Sequence, residues 1–183
     1  MTMLTSNKSK SFSADILRPA QSPEGGWGFV LLPDSASEIL PRRGRISVSV
    51  RVNSKEFVAM LEPDGQKGHW LKLNKQILDA ADLSFGHTAG FTITLLSHEP
   101  EPELPEDFRE ALVAAPAAKE TWSKTTPVAQ VDWIHWIESA KQAKTRNKRI
   151  SDACDMLAEG KTRVCCFDSS GFYSKAFRAP ESL

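Results

Sequence analysis

Basic side chains cluster between residues 140 and 163, in the stretch AKQAKTRNKRISDACDMLAEGKTR, where seven Lys and Arg stand beside three acids. Because Lys and Arg neutralise phosphates, such a cluster is a candidate for binding nucleic acid or another anion. The candidate ligand-binding residues here are Lys141, Lys144, Arg146, Lys148 and Arg149. The spacing favours a solvated helix face over a nucleic-acid site, since Lys148 and Asp152 lie four residues apart and can pair.

Arg146 differs from the other basic residues because it lies one helical turn before Ile150, on the apolar side of the predicted helix. Its aliphatic stem can pack along that side while the guanidinium reaches a carboxylate. We expect the acidic segment around Glu101–Glu110 to supply that carboxylate within the same chain.

A second candidate set is His69, Lys72 and Lys75, which could line the mouth of a small barrel and hold a ligand there. Alternation along the predicted strand places Trp70 and Lys72 on one side and His69 on the other, so the three do not obviously converge. His135 lies between two tryptophans and is interpreted as a surface or helix-contact histidine.

Patterns typical of catalysis or metal binding are missing from the sequence. Neither CxxC nor HxxxH spacing occurs, and the adjacent Cys165 and Cys166 would point to opposite faces of a strand. The segment CCFDSSGFYSK is interpreted as a strand, a turn and a second strand rather than a cysteine nucleophile beside Asp168. We therefore expect no catalytic residue, no metal and no cofactor.

The composition is that of a globular protein, with 23 basic and 23 acidic residues and no net charge. Any binding of nucleic acid must therefore come from a local patch. The N-terminus has no apolar signal region, and no run of residues is long and apolar enough to span a membrane. Three cysteines suit a reducing compartment, so a cytoplasmic location is expected.

The first half of the chain is expected to be a β-domain over residues 11–98, preceded by a disordered N-terminus over residues 1–10. In RISVSVRV, Ile46, Val48, Val50 and Val52 alternate with polar residues, as in a half-buried strand. About six such strands with two short helices predict a small barrel or sandwich.

The second half is expected to be helical over residues 106–163, after an acidic, proline-rich linker at 99–105. Thr126 and Pro127 are a typical pair for a helix start. The apolar stripes around Trp133 and Ile150 are rotated by roughly 100° relative to each other, so we expect a break near Thr145, with Thr145 capping the second piece. A hairpin or tail over residues 164–183 would follow.

Residues 136–161 resemble part of the C-terminal domain of the YdeI/OmpD-associated, or bacteriocin-protection, proteins. The matching steps are Trp136-Ile137, Ala140-Lys141, Thr145-Arg146, Arg149-Ile150, Met156-Leu157 and Gly160-Lys161. The N-terminal half is similar to a β-barrel domain of unknown function, through WGFV at 27–30, ISVSVRVNSKEF at 46–57 and Asn74-Lys75. The resemblance implies an α+β chain with a double-split β-barrel and a helical domain. It also implies a role in stress or antimicrobial-peptide tolerance, without an established reaction.

Three functions remain open from the sequence. The first is a non-enzymatic binding or adaptor protein whose partner is an unknown protein or small ligand. The second is a weak nucleic-acid binder that uses the basic segment at 141–149. The third is a small enzyme without a recognisable motif. The neutral charge argues against the second, and the absence of catalytic spacing argues against the third.

Overall fold

A computed structural model describes residues 8–21, 23–164 and 179–183. Its contacts divide the chain into two compact units, Met1–His98 with Phe177–Leu183 and Glu99–Ala176. The predicted α+β class is confirmed. The predicted strand pair around Cys165 and most of the predicted N-terminal disorder lie outside the described residues.

The first unit is built on a six-stranded antiparallel sheet that curls into a half-barrel. Its strands are β1 (Ser9–Asp15), β2 (Gly28–Leu31), β3 (Ile46–Val52), β4 (Lys55–Pro63), β5 (His69–Leu73) and β6 (Thr88–Leu95), in the spatial order β1-β6-β3-β4-β5-β2. Two short helices accompany it, α1 (Asp34–Ser37) and α2 (Lys75–Ala80). The backbones of Leu17 and Phe29 exchange two hydrogen bonds, of 2.9 and 3.0 Å, and so link the segment after β1 to β2.

Alternation decides which face of the sheet is buried. On β3, Val48 and Val50 are buried and Arg51 is exposed, as predicted from the period of two. Together with Leu71, Leu73 and other inward side chains they form one apolar core. Burial of these aliphatic groups is the main stabilising contribution to this unit.

Backbone hydrogen bonds hold both ends of the described chain to the first unit. β1 begins inside the stretch predicted to be disordered, because the backbones of Ser9 and Lys10 pair with β6 and the Ser9 hydroxyl lies 2.9 Å from that of Thr94. At the other end, the Leu183 amide donates to the Arg18 carbonyl at 2.8 Å.

In its described part, up to residue 164, the second unit contains four helices, α3 (Glu106–Val113), α4 (Pro116–Lys124), α5 (Pro127–Glu138) and α6 (Ala143–Ala158). Phe108, Trp122, Trp133, Ile137 and Leu157 are among the residues of its apolar core. Within the described residues, no helix is long and apolar enough to cross a membrane.

Capping side chains mark the starts of two helices, and the one at Thr126 was predicted. The Asn74 side chain accepts a hydrogen bond from the Ile77 amide at 2.8 Å, and the Thr126 hydroxyl accepts one from the Ala129 amide at 3.3 Å. The predicted break between the last two helices is also present. Its position was predicted wrongly, because Gln142 precedes α6 and Thr145 lies inside the first turn, where it caps nothing.

Candidate functional site

A pocket of about 440 Å³ opens on the first unit, beside α1 and the start of β5. Most of its lining side chains are polar or charged. They are Asp34, Ser37, Glu38, Leu40, Arg42, Arg43, Gln66, Lys67 and His69. Its volume falls within the range of small-molecule sites in proteins.

Helix α1 supplies one wall of the pocket. Asp34, Ser37 and Glu38 are spaced at i, i+3 and i+4, so one turn of helix presents all three on the same side. Ala36 points the other way and is fully buried, which anchors the short helix to the core of the sheet.

The turn between β4 and β5 supplies another part of the lining. The Asp64 carboxylate accepts hydrogen bonds from the amides of Gln66 at 2.7 Å and Gly68 at 2.9 Å. A Cβ at Gly68 would lie 2.5 Å from an Asp64 carboxylate oxygen, so a larger residue there would displace the carboxylate that closes the turn. Lys67 takes a positive φ of 73°, a conformation that L-residues rarely adopt. The closed turn therefore holds Gln66 and Lys67 at the rim.

His69 forms the buried floor of the pocket and is only 2% exposed. Its Nε2 lies 3.1 Å from the Gly44 carbonyl and its Nδ1 lies 3.4 Å from the Ser37 hydroxyl. Because a carbonyl can only accept, Nε2 carries the proton and Nδ1 is left to accept from Ser37. Burial lowers the pKa of His69 below its ordinary value of 6.5, opposed by the hydrogen bond to Gly44. The imidazole is thus neutral at neutral pH.

The remaining charges of the pocket are separated by element. Helix α1 and its C-terminal neighbour contribute the carboxylates of Asp34 and Glu38, whereas the following loop and the β4–β5 turn contribute Arg42, Arg43 and Lys67. Of these cations, Arg43 and Lys67 form no ion pair within the part of the chain that the structure describes. The pocket therefore suits a polar ligand that carries a negative group.

Lys72 and Lys75, the other two members of the predicted set, lie outside this pocket. The Lys72 ammonium stands 4.6 Å from the ring centroid of Trp27, a cation–π contact on the face of the sheet opposite His69. Lys75 opens α2 and its side chain packs beside Gly26. The predicted set is therefore not brought together, and only His69 lines the pocket.

Three of the five basic candidates in the second unit have partners within that unit. Arg146 binds Asp107 through two hydrogen bonds, and Lys148 binds Asp152 at 2.7 Å across one turn of α6. Arg149 donates to the Trp136 carbonyl at 2.6 Å and to the Ser139 hydroxyl at 2.8 Å. The remaining two, Lys141 and Lys144, are exposed.

These contacts define the surroundings of several predicted residues. Arg146 finds its carboxylate within the predicted acidic segment, and its hydrogen bonds lower the pKa of the Asp107 carboxyl. Trp133 is fully buried, as expected of a core residue. His135 is buried as well, which excludes the surface alternative for this residue and leaves the helix-contact alternative.

Sequence reasoning missed most of the pocket. Arg42 and Arg43 lie in the segment PRRGR, between turn residues and outside any periodic pattern. The available signal was a pair of adjacent arginines in a connecting loop, the kind of segment that carries function on a rigid scaffold. Among the described residues, no group of His, Cys, Asp and Glu is arranged to hold a metal ion.

Comparison with known families matches both halves of the chain. The model described as "Bacteriocin-protection, YdeI or OmpD-Associated" matches residues 101–160, and the model of a domain of unknown function (DUF1905) matches residues 12–93. No curated protein matches the chain. Together the two family matches cover more than three quarters of the 183 residues. The chain belongs to the YdeI/OmpD-associated, bacteriocin-protection family and carries an N-terminal domain of unknown function.

Proposed function

We propose that this member of the bacteriocin-protection family is a non-enzymatic, cytoplasmic binding protein. Its ligand site is the pocket beside His69, and its ligand is a small polar molecule with an anionic group. The first unit acts as a double-split barrel, closed through the Leu17–Phe29 bridge, and residues 106–163 act as a separate helical domain. The single observation that carries the proposal is the meeting of Arg43 and Lys67, two cations without an ion pair among the described residues, with a buried, neutral histidine in one cavity.

The cationic side chains of the lining explain why the ligand should carry a negative charge. Guanidinium groups match carboxylate and phosphate oxygens with paired hydrogen bonds, and Lys67 adds a further positive charge at the rim. Ser37 contributes a neutral hydroxyl beside His69. A site with several charged contacts and one buried neutral floor orients a small ligand without requiring a reaction.

The geometry at Ser37 and His69 favours binding over catalysis. A serine and a histidine side by side are the elements of a nucleophile and its base, which work at about 2.6–3.2 Å. Here the Ser37 oxygen and Nδ1 are 3.4 Å apart, and the lowered pKa makes His69 a weaker base. Both features argue against an activated serine.

The contacts of the basic segment favour the same proposal over nucleic-acid binding. Arg146 and Lys148 form ion pairs with carboxylates of the same unit, and Arg149 donates hydrogen bonds to a carbonyl and a hydroxyl. A nucleic-acid footprint needs a row of cations that are available to phosphates.

The proposal is tested by NMR titration of the full chain with inorganic phosphate and with acetate. We expect shifts confined to the amides around Gly44 and Lys67, and binding at least tenfold weaker in Arg43→Gln. The matched control is Arg109→Gln, which removes an exposed arginine on α3 and should change nothing. Equal weakening in both variants, or shifts spread over the whole surface, would contradict a specific site.

A further inference from the structure

Resting on the proposed function, we infer that the ligand of this pocket is a zwitterion of about dipeptide size. It would carry an ammonium at one end and a carboxylate at the other. The ammonium would lie against Asp34 and Glu38, and the carboxylate against Arg43 and Lys67.

The first support is the separation of charge around the pocket. Asp34 and Glu38 lie one helical turn apart, an arrangement in which two like charges repel. Their repulsion falls when a positive charge lies between the two carboxylates, and the ammonium of a zwitterion supplies that charge.

The second support is that these groups do not neutralise one another. Within the residues that the structure describes, Asp34, Glu38, Arg43 and Lys67 form no ion pair, although they line the same cavity. Carboxylates and cations held apart on different elements remain available to a molecule that spans them. A purely anionic ligand would leave Asp34 and Glu38 facing its charge.

The third support is size and the nature of the floor. A sphere with the pocket's volume is about 9 Å across, and an extended peptide advances about 3.3–3.6 Å per residue. Two residues therefore fit lengthwise. The Ser37 hydroxyl and the Gln66 amide can hydrogen-bond the peptide linkage, as neutral groups of the lining.

The test compares three probes that share one skeleton. Diglycine carries both charges, N-acetylglycine lacks only the ammonium, and glycine N-methylamide lacks only the carboxylate. Calorimetric titration of the full chain should show diglycine binding at least tenfold more tightly than either analogue. Glu38→Gln should weaken diglycine but not N-acetylglycine, and Arg43→Gln should weaken both. Glu106→Gln, at an exposed position of α3, is the matched control and should bind like the wild type.

The outcomes separate the two proposals. If N-acetylglycine binds as tightly as diglycine and Glu38→Gln has no effect, the zwitterion is wrong and the anion site stands. If the methylamide binds as tightly as diglycine, or if no probe binds to the wild-type chain, both proposals fail. Thermal melts of each variant exclude unfolding as the cause of a loss.

Discussion

The guanidinium of Arg146 binds the carboxylate of Asp107 through two hydrogen bonds. Nε donates at 2.7 Å and Nη2 at 3.0 Å to the two different oxygens. This pair joins the first turn of α6 to the first turn of α3, two segments 39 residues apart in the chain. The carboxylate also accepts from the Phe108 amide, where it satisfies an amide at the start of α3. One side chain of α6 thus binds the same carboxylate that accepts an amide at the start of α3.

Removing this pair should loosen both helices. Because the side chains of Arg146 and Asp107 are 30% and 43% exposed, solvent screens their attraction. We expect Arg146→Ala to cost about 1 kcal/mol, the upper end for an exposed pair, since the geometry is bidentate. Amide hydrogen exchange should show faster opening of α3 and α6. Lys148→Ala is the control and should cost no more than about 0.5 kcal/mol. A double variant with Asp107→Asn that costs the sum of the two single changes would show that the pair contributes nothing.

Arg149 should stabilise the break between α5 and α6. It caps the Trp136 carbonyl at the end of α5, and its guanidinium carbon lies 5.5 Å from the Trp136 ring centroid. Arg149→Met keeps much of the aliphatic stem but loses the hydrogen bonds, so we expect a loss of about 1–2 kcal/mol. Urea denaturation followed by tryptophan fluorescence measures it, with the exposed Lys144→Met as the neutral control. The opposite pattern, in which Lys144→Glu abolishes binding to a short DNA duplex at low salt and Arg149→Met melts like wild type, would favour the nucleic-acid alternative.

His69 should make the stability of the chain depend on pH. Its folded pKa lies below 6.5, so between the two values the unfolded chain binds more protons than the folded one. Stability from this group is therefore full above about pH 6.5 and falls as the pH drops toward the folded pKa. His69→Gln retains a donor for the Gly44 carbonyl and should show a smaller loss between pH 7 and pH 5. Urea denaturation at several pH values checks this. A His69→Gln variant that loses as much stability as the wild type between pH 7 and pH 5 would argue against His69.

The connection between the two units should be cut at one bond. No helix or strand lies between Leu95 and Glu106, and Glu103 is exposed there. Glu99 and Glu101 are each followed by proline, and a proline after the glutamate blocks cleavage of that bond. Glu103 is followed by leucine, so its bond can be cut. Brief digestion with a glutamate-specific protease should therefore give fragments 1–103 and 104–183 first.

Glu103→Gln provides the matched control for that digestion, since it should delay the first cut without changing the fold. Mass spectrometry identifies the products. Early cuts spread through β1–β6 or α3–α6 would contradict two separately folded domains.

The sequence by itself determined the strands of the first unit, the helical character of the second and the buried faces of several elements. Alternation on β3 identified Val48 and Val50 as core residues, because a strand can bury only every second side chain in one face. The position of Arg146 one turn before Ile150 predicted both its packing and a carboxylate partner in the acidic segment. These are local properties, since period and spacing act over a few residues.

Only the tertiary structure decided the pocket. Arg43, Lys67 and His69 come from a loop, a turn and a strand, and no sequence spacing relates them; the sheet register and the Asp64-closed turn place them around one cavity. The burial of His69 follows from the same packing, because desolvation by surrounding atoms, and not the residue's identity, lowers its pKa. Alternation along β5 already predicted that Lys72 and His69 lie on opposite faces of the sheet. The contact of Lys72 with Trp27, by contrast, depends on how β2 and β5 pair. Local periodicity thus predicts which side chains point inward, whereas the pairing of distant strands decides which of them meet.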